Sequence, residues 1–250
     1  MKLMYFNDYK LGVIKGEAVV DVSAVVQDIA HTGPHDLING LIERFAEYRP
    51  RLEEATARDK GVPLTDVKVR PPLPKPVNID CMAVNYMEDG TRTEPAPINA
   101  FHKSPNAVIG PEDTMVLPDV PATIFEGEAE VAVVIGKRAK DVKAADAMSH
   151  VFGYVNFVDG SARGLPPPGN VFYQMKSRDT FAPIGPYIVT PMKSAIRISC
   201  RCGSGSTACS SRISTPATWP TRSRAASSGS APFIRSSPVT CWRPEPITAA

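Results

Sequence analysis

A chain of 250 residues, 43% hydrophobic, is long enough to bury one sizeable core with room for a small accessory module. No apolar run is long enough to span a bilayer, and the N-terminus lacks a charged-then-apolar leader pattern, so the expectation is a cytoplasmic protein with no membrane partner. The formal net charge of +2 conceals two unlike parts: residues 1–190 carry 20 Lys+Arg against 25 Asp+Glu, whereas residues 191–250 carry 8 basic residues and one acid, Glu245.

Residues 2–7, 10–15 and 18–22 are short alternating runs separated by Asn7-Asp8 and Gly16, the pattern of a small antiparallel meander. Asp36 stands at a helix start after Gly33-Pro34, and Leu37, Leu41, Ile42, Phe45 and Leu52 follow at helical spacing. The charged residues between them read as a solvated face. Residues 70–76, Arg-Pro-Pro-Leu-Pro-Lys-Pro, are stiff and cannot continue a helix. They mark the expected boundary between an N-terminal module (1–70) and a second domain (71–190).

Beyond that boundary, residues 77–84 read as a strand delivering Asn85-Tyr86 to a loop crowded with Glu88, Asp89, Arg92 and Glu94. Phe101-His102-Lys103-Ser104-Pro105 and Val108-Ile109-Gly110-Pro111 look like strand and turn. The most informative stretch is Phe125-Glu126-Gly127-Glu128-Ala129-Glu130, which runs into the β-branched segment 131–136. A strand repeats its side-chain direction every two residues, so Glu126, Glu128 and Glu130 share a face. Two readings stay open here: a solvated edge, or a carboxylate row that a hard divalent cation neutralises. Residues 144–150 read as a short helix with Asp146 and His150 exposed, and residues 151–158 as a strand ending in Asp159-Gly160. An acid at a strand end before a glycine is a natural third metal ligand, and Asp-Gly is also the commonest turn pair, so both readings stay open.

Taken together, Asn85-Tyr86, Phe101-x-Lys103-Ser104, Glu128-x-Glu130, Asp159-x-Ser161-Ala162-Arg163 and Lys176-Ser177-x-Asp179-Thr180-Phe181-Ala182-Pro183-Ile184-Gly185-Pro186 resemble the fumarylacetoacetate hydrolase family over residues 77–190. The resemblance implies an α+β, mostly β fold: a mixed β-roll with a small N-terminal α+β module, assembled as a homodimer. It implies a divalent metal, Mg²⁺ (or Mn²⁺ or Ca²⁺), on Glu128, Glu130 and Asp159, which leaves Glu126 outside the ligand set. Lys176 resembles the family's active-site lysine, Arg163 its substrate-contacting arginine, and Tyr86 and Lys103 fall at further substrate-binding positions. The implied activity is hydrolysis of a carbon–carbon bond in a β-diketo acid, with the metal polarising a carbonyl and stabilising an enolate leaving group.

Two departures qualify the expectation. Family hydrolases carry N-Y-x-x-H, whose His serves water activation, but here Asp89 stands in its place. An Asp acts as a base when burial or a like-charged neighbour raises its pKa, and Glu88 supplies such a neighbour; otherwise both are loop acids. Family members lacking the His run isomerisation, hydration or decarboxylation of 2-oxo acids, which is the alternative activity. The second departure is the tail. Residues 191–250 hold 13 Ser, four of the five Cys and both Trp, and no Leu, Asn, Gln or Asp. Cys200, Cys202 and Cys209 match no common zinc spacing. The basic charge with Trp219 and Trp242 admits nucleic-acid binding, but the Ser and Pro content without periodicity argues against a folded module, so no nucleic-acid partner is expected.

The tail has the composition of a GC-rich coding sequence read out of frame. Joining the third base of each codon to the first two of the next lets residues around Gly203–Thr207 encode V-R-L-W-V-N-G, those from Trp219 encode M-A-H-K-I-P-R, and those from Pro238 encode A-G-D-V-L-A-T-G-T-N-H. These restore, in order, the family's N-G turn and closing G-D-x-x-x-x-G-T segment. Without them the roll lacks its last strands, and an inactive, incomplete family member is the further alternative. Sequencing the gene around the Thr190 codon is expected to find a displaced frame; an uninterrupted frame there, with a well-packed tail in a measured structure, contradicts this.

Overall fold

In a computed structural model, the structure describes residues 1–83, 97–169 and 172–191. Tyr86, Glu88, Asp89 and residues 192–250 of the tail lie outside the described residues. The meander forms where alternation places it: β1 (Lys2–Phe6), β2 (Lys10–Lys15) and β3 (Ala18–Asp21) pair antiparallel in order. Gly16, at φ +61, turns the chain between the last two, a backbone that only glycine adopts without strain. Alternation sends Leu3, Tyr5, Leu11, Val13 and Val20 into the main core, and Met4, Phe6 and Val19 into a second cluster on the opposite face.

The helical pattern resolves into two helices, α1 (Pro34–Glu43) and α2 (Phe45–Arg58), broken at Arg44, where φ is −103 and ψ is 16. Leu37, Leu41 and Ile42 before the break and Leu52 after it all reach the core, so apolar spacing alone reads as one helix. Pro34 opens α1 and Asp36 lies in its first turn, both favourable at a helix N-terminus. The outer face carries exposed pairs such as Arg49–Glu53 (2.8 Å), which contribute little to stability.

Two short strands, β4 (Val62–Pro63) and β5 (Val69–Arg70), pair with β3 and β1. A separate hairpin follows, β6 (Ile79–Ala83) with β7 (Asn99–Lys103). Then come β8 (Val108–Ile109), β9 (Ile124–Ile135), β10 (Val151–Arg163), the short helix α3 (Phe172–Lys176) and β11 (Ala182–Val189). The main sheet runs β4-β3-β2-β1-β11-β10-β9, with β8 parallel to β11. Strands from both sides of the Pro-rich stretch thus meet at β1–β11, where Lys2 faces Val189 and Leu3 faces Ile188. One core from Leu3 to Ile188 includes Leu73 of that stretch. The chain is α+β and mostly β, and among the described residues no helix is long and apolar enough to cross a membrane.

Two local expectations change. The short helix before β10 is a 3-10 turn, Ala147–His150. More importantly, the chain does not turn at Asp159-Gly160: β10 continues through both to Arg163 and stays paired with β9 throughout. Gly160 is there for space. A Cβ at this position would lie 3.0 Å from the Phe181 Cα and 3.0 Å from the Met115 sulfur. Its amide also donates to the Phe181 carbonyl at 2.9 Å. Gly160→Ala should therefore force β10 and the Phe181 backbone apart, at a cost of about 1–3 kcal/mol in urea unfolding. An unchanged unfolding midpoint would contradict the close approach.

Candidate functional site

The register of β9 against β10 builds the site. Glu128 lies directly opposite Asp159, Glu126 opposite Ser161 and Glu130 opposite Phe157, so four acids gather along one face of two paired strands. Like charges directly opposed across a strand pair repel. Three cations from different elements answer them. Lys176, the last residue of α3, donates to Asp159 Oδ2 at 2.6 Å and to Glu128 Oε1 and Oε2 at 3.2 and 3.3 Å. Lys103, the last residue of β7, donates to Asp159 Oδ1 at 2.5 Å and to the Gly160 carbonyl at 2.8 Å. Arg163, at the end of β10, donates through Nε to Glu126 Oε2 at 2.7 Å and through Nη2 to Glu128 Oε1.

Depth separates these groups. Asp159, Lys103 and Lys176 are 2%, 1% and 2% exposed, whereas the Arg163 and Glu126 side chains are 35% and 30% exposed and form the rim. Burial drives the Lys103 ammonium pKa down, against the pull of Asp159. Burial likewise opposes the Arg163 charge, but the Glu126 hydrogen bond and the nearby carboxylates raise its pKa overall. Phe101 and Phe172 stack with centroids 4.9 Å apart, and the Lys176 ammonium sits 5.2 Å from the Phe101 centroid, a cation–π distance that adds to its anchoring. Cys81 is buried beneath the cluster with its thiol pKa pushed well up, which makes it a packing residue rather than a nucleophile.

Glu130 is the exception to this pairing. Its Oε2 is buried with no hydrogen-bond partner among the described residues, and burial, then the charges of Asp159 and Glu128, push its carboxyl up to about 9. Among the described residues no three His, Cys, Asp or Glu side chains are gathered as a metal-holding group. Glu128 and Asp159 are engaged by Lys176, Lys103 and Arg163. The donor chemistry nonetheless fits a hard divalent cation: all three candidates are carboxylates on one face, and one buried oxygen lacks a partner.

The structure therefore brings together six of the residues singled out from sequence: Glu128, Glu130, Asp159, Lys103, Arg163 and Lys176. Lys103 reaches Asp159 from a fully buried position rather than from an open surface. None of the chain's four histidines bonds to the cluster; the exposed His102 ring pairs instead with Asp80 at 2.5 Å. Sequence reasoning missed the Glu126–Arg163 pair and Ser161, whose hydroxyl lies 3.5 Å from Glu128 Oε1. The signal for both was the diagonal relation between neighbouring strands, which becomes readable only when the register is known.

The fumarylacetoacetate hydrolase C-terminal family model matches residues 78–216, so the matched span ends inside the compositionally unlike tail. The chain is 36% identical over 196 residues to the mitochondrial oxaloacetate tautomerase FAHD2A of Bos taurus, covering 74% of this chain and 60% of that protein. It therefore spans about 60% of the length of such curated relatives. Among solved structures, it resembles the maleylpyruvate hydrolase of Sphingobium sp. SYK-6, crystallised with manganese(II) and pyruvate, at a TM-score of 0.78 and 27% identity, covering 99% of this chain and 91% of that one. The fold is also shared with the 5-carboxymethyl-2-hydroxymuconate delta-isomerase of Mycobacterium smegmatis, at a TM-score of 0.67 and 22% identity, covering 99% and 91%. With a family model matching more than half its length over the segment that carries the acidic row, the chain belongs to the fumarylacetoacetate hydrolase family.

Proposed function

We propose that this chain is a divalent-metal-dependent enzyme that forms an enolate from a 2-oxo acid, and that its reaction is hydrolysis of a carbon–carbon bond in an acylpyruvate-like β-diketo acid. The observation that carries the reading is the buried carboxylate row with Lys176 held between Glu128 and Asp159. A divalent cation on Glu128, Glu130 and Asp159 supplies Lewis-acid polarisation of the substrate's oxo group. The Lys176 ammonium offsets the negative charge that develops on the enolate, and can give a proton to the departing carbon. Arg163, at the rim, offers a planar fork suited to a substrate carboxylate. Lys103 fixes Asp159 from below. Glu88 and Asp89, where the family pattern has its His, are the proposed water-activating pair.

A second reading is keto–enol tautomerisation, which moves a proton and needs no activated water. Two observations favour it: the relative at 36% identity is an oxaloacetate tautomerase, and Asp89 replaces the His of the family's hydrolases. Incubation with an acylpyruvate and with enol-oxaloacetate, both with Mg²⁺, separates the two. The test uses the chain as written and a version with the frame restored after Thr190. Release of two carboxylic acids supports hydrolysis, and accelerated enol decay alone supports tautomerisation. Neither activity in the restored chain contradicts the proposal.

Two variants probe the parts. Glu130→Gln should weaken Mn²⁺ binding in calorimetry by more than about tenfold and abolish turnover; unchanged affinity would remove Glu130 from the ligand set. Lys176→Met should lower kcat by about 10²–10⁴-fold. Its stability loss should fall short of the about 3–5 kcal/mol typical of breaking a buried pair, because Asp159 keeps Lys103 as a partner. A variant with normal kcat would place Lys176 outside the chemistry.

A further inference from the structure

Glu128 is oversubscribed. Its Oε1 receives Lys176 at 3.2 Å, Ser161 at 3.5 Å and the Arg163 Nη2. A cation bound by this carboxylate would displace at least some of these donors, and their other attachments decide what each does next. Lys176 retains Asp159. Ser161 retains the Asp159 carbonyl at 3.3 Å. Of the three, Arg163 alone has its other hydrogen bond to a side chain outside the expected ligand set, Glu126, whose Oε2 accepts from Nε at 2.7 Å. Glu126 faces Ser161 across the strand pair, so Arg163, two residues further along β10, lies on its diagonal within reach of a long side chain.

We propose that Glu126 is a positioning residue: it grips the Nε edge of Arg163 so that the terminal nitrogens, released from Glu128 by the cation, stay aimed into the site and take a substrate carboxylate. This rests on the reading of the site above, and adds to it a coupling between cation and anion binding. The rim position of the pair suits the role, because an arginine about one-third exposed can meet an incoming anion while the lysines beneath stay buried. Holding one edge fixed removes the need to order a long flexible side chain when the substrate arrives, and preorganisation of this kind is read as affinity. The exchange also preserves pairing, since Arg163 trades one carboxylate for another.

The test uses the full chain as written and the version with the frame restored after Thr190, each loaded with Mn²⁺ and titrated with pyruvate as a small 2-oxo acid probe. Glu126→Ala should weaken pyruvate binding about tenfold while Mn²⁺ affinity stays within about threefold. With turnover substrate, KM should rise by more than kcat falls. Glu126→Asp should recover part of the pyruvate affinity, Glu126→Gln should lie between, and Glu126→Ala should have no further effect in an Arg163→Ala background. Unchanged pyruvate affinity in Glu126→Ala overturns the inference and leaves the proposed function standing. Parallel loss of Mn²⁺ affinity overturns it by making Glu126 part of the cation site. A frame-restored parent that binds neither Mn²⁺ nor pyruvate overturns both.

Discussion

Two carboxylates set directly opposite each other on paired strands, Glu128 and Asp159, are the constraint around which the rest of this site is arranged. Such a pair is repulsive in isolation and more so when one member is almost fully buried. The fold meets this by bringing lysines from two other elements, the end of α3 and the end of β7, onto the same acid. Arg163 takes up the outer side. With Glu130 held neutral by its raised pKa, the cluster pairs three anions with three cations. An ionised Glu130 with a bound divalent cation would leave one excess positive charge, which a substrate carboxylate would offset. The same residues are thus balanced in two ways.

The long β9–β10 pair is the rigid part of this arrangement, and its rigidity comes from how it is buried. Val131, Ala132, Val133 and Val134 have side chains on both faces of the sheet and all are buried, while Gly160 lets the Phe181 backbone approach closely enough to lock β11 and β10 together. The N-terminal meander contributes by extending the same sheet through β1, so the core beneath the site is continuous with that of the first seventy residues. Catalytic groups carried on strands and a helix end are held more closely than groups carried on loops, which is what a network of four acids and three cations requires.

Much of this was legible in the sequence because the period-2 alternation of Glu126, Glu128 and Glu130 survives any choice of boundary. The meander was legible for the same reason. Asp159 was legible as an acid at a strand end, and the family resemblance then supplied Lys176, Arg163 and Lys103. Periodicity could not have linked the four, since their meeting depends on register and on where α3 and β7 end. Asp159-Gly160 misled because an acid followed by glycine is a common turn, and the steric need that Phe181 imposes on Gly160 is invisible along the chain. The break at Arg44 was hidden because the apolar positions on both sides of it continue to face the core. The resemblance implied that Glu126 lies outside the ligand set, but its partnership with Arg163 belongs to the pairing of two strands rather than to either one.

A divalent cation on the carboxylate row is what this reading of the site stands or falls on. Anomalous diffraction from crystals of the chain grown with Mn²⁺ measures this, with residues after Thr190 replaced by the alternative-frame sequence if the chain as written does not crystallise. The expected result is a manganese peak bounded by Glu128, Glu130 and Asp159, with Arg163 moved off Glu128 and still joined to Glu126. A peak elsewhere, or saturating Mn²⁺ with the Lys176–Glu128 and Arg163–Glu128 contacts intact and Glu130 still unpartnered, would contradict it.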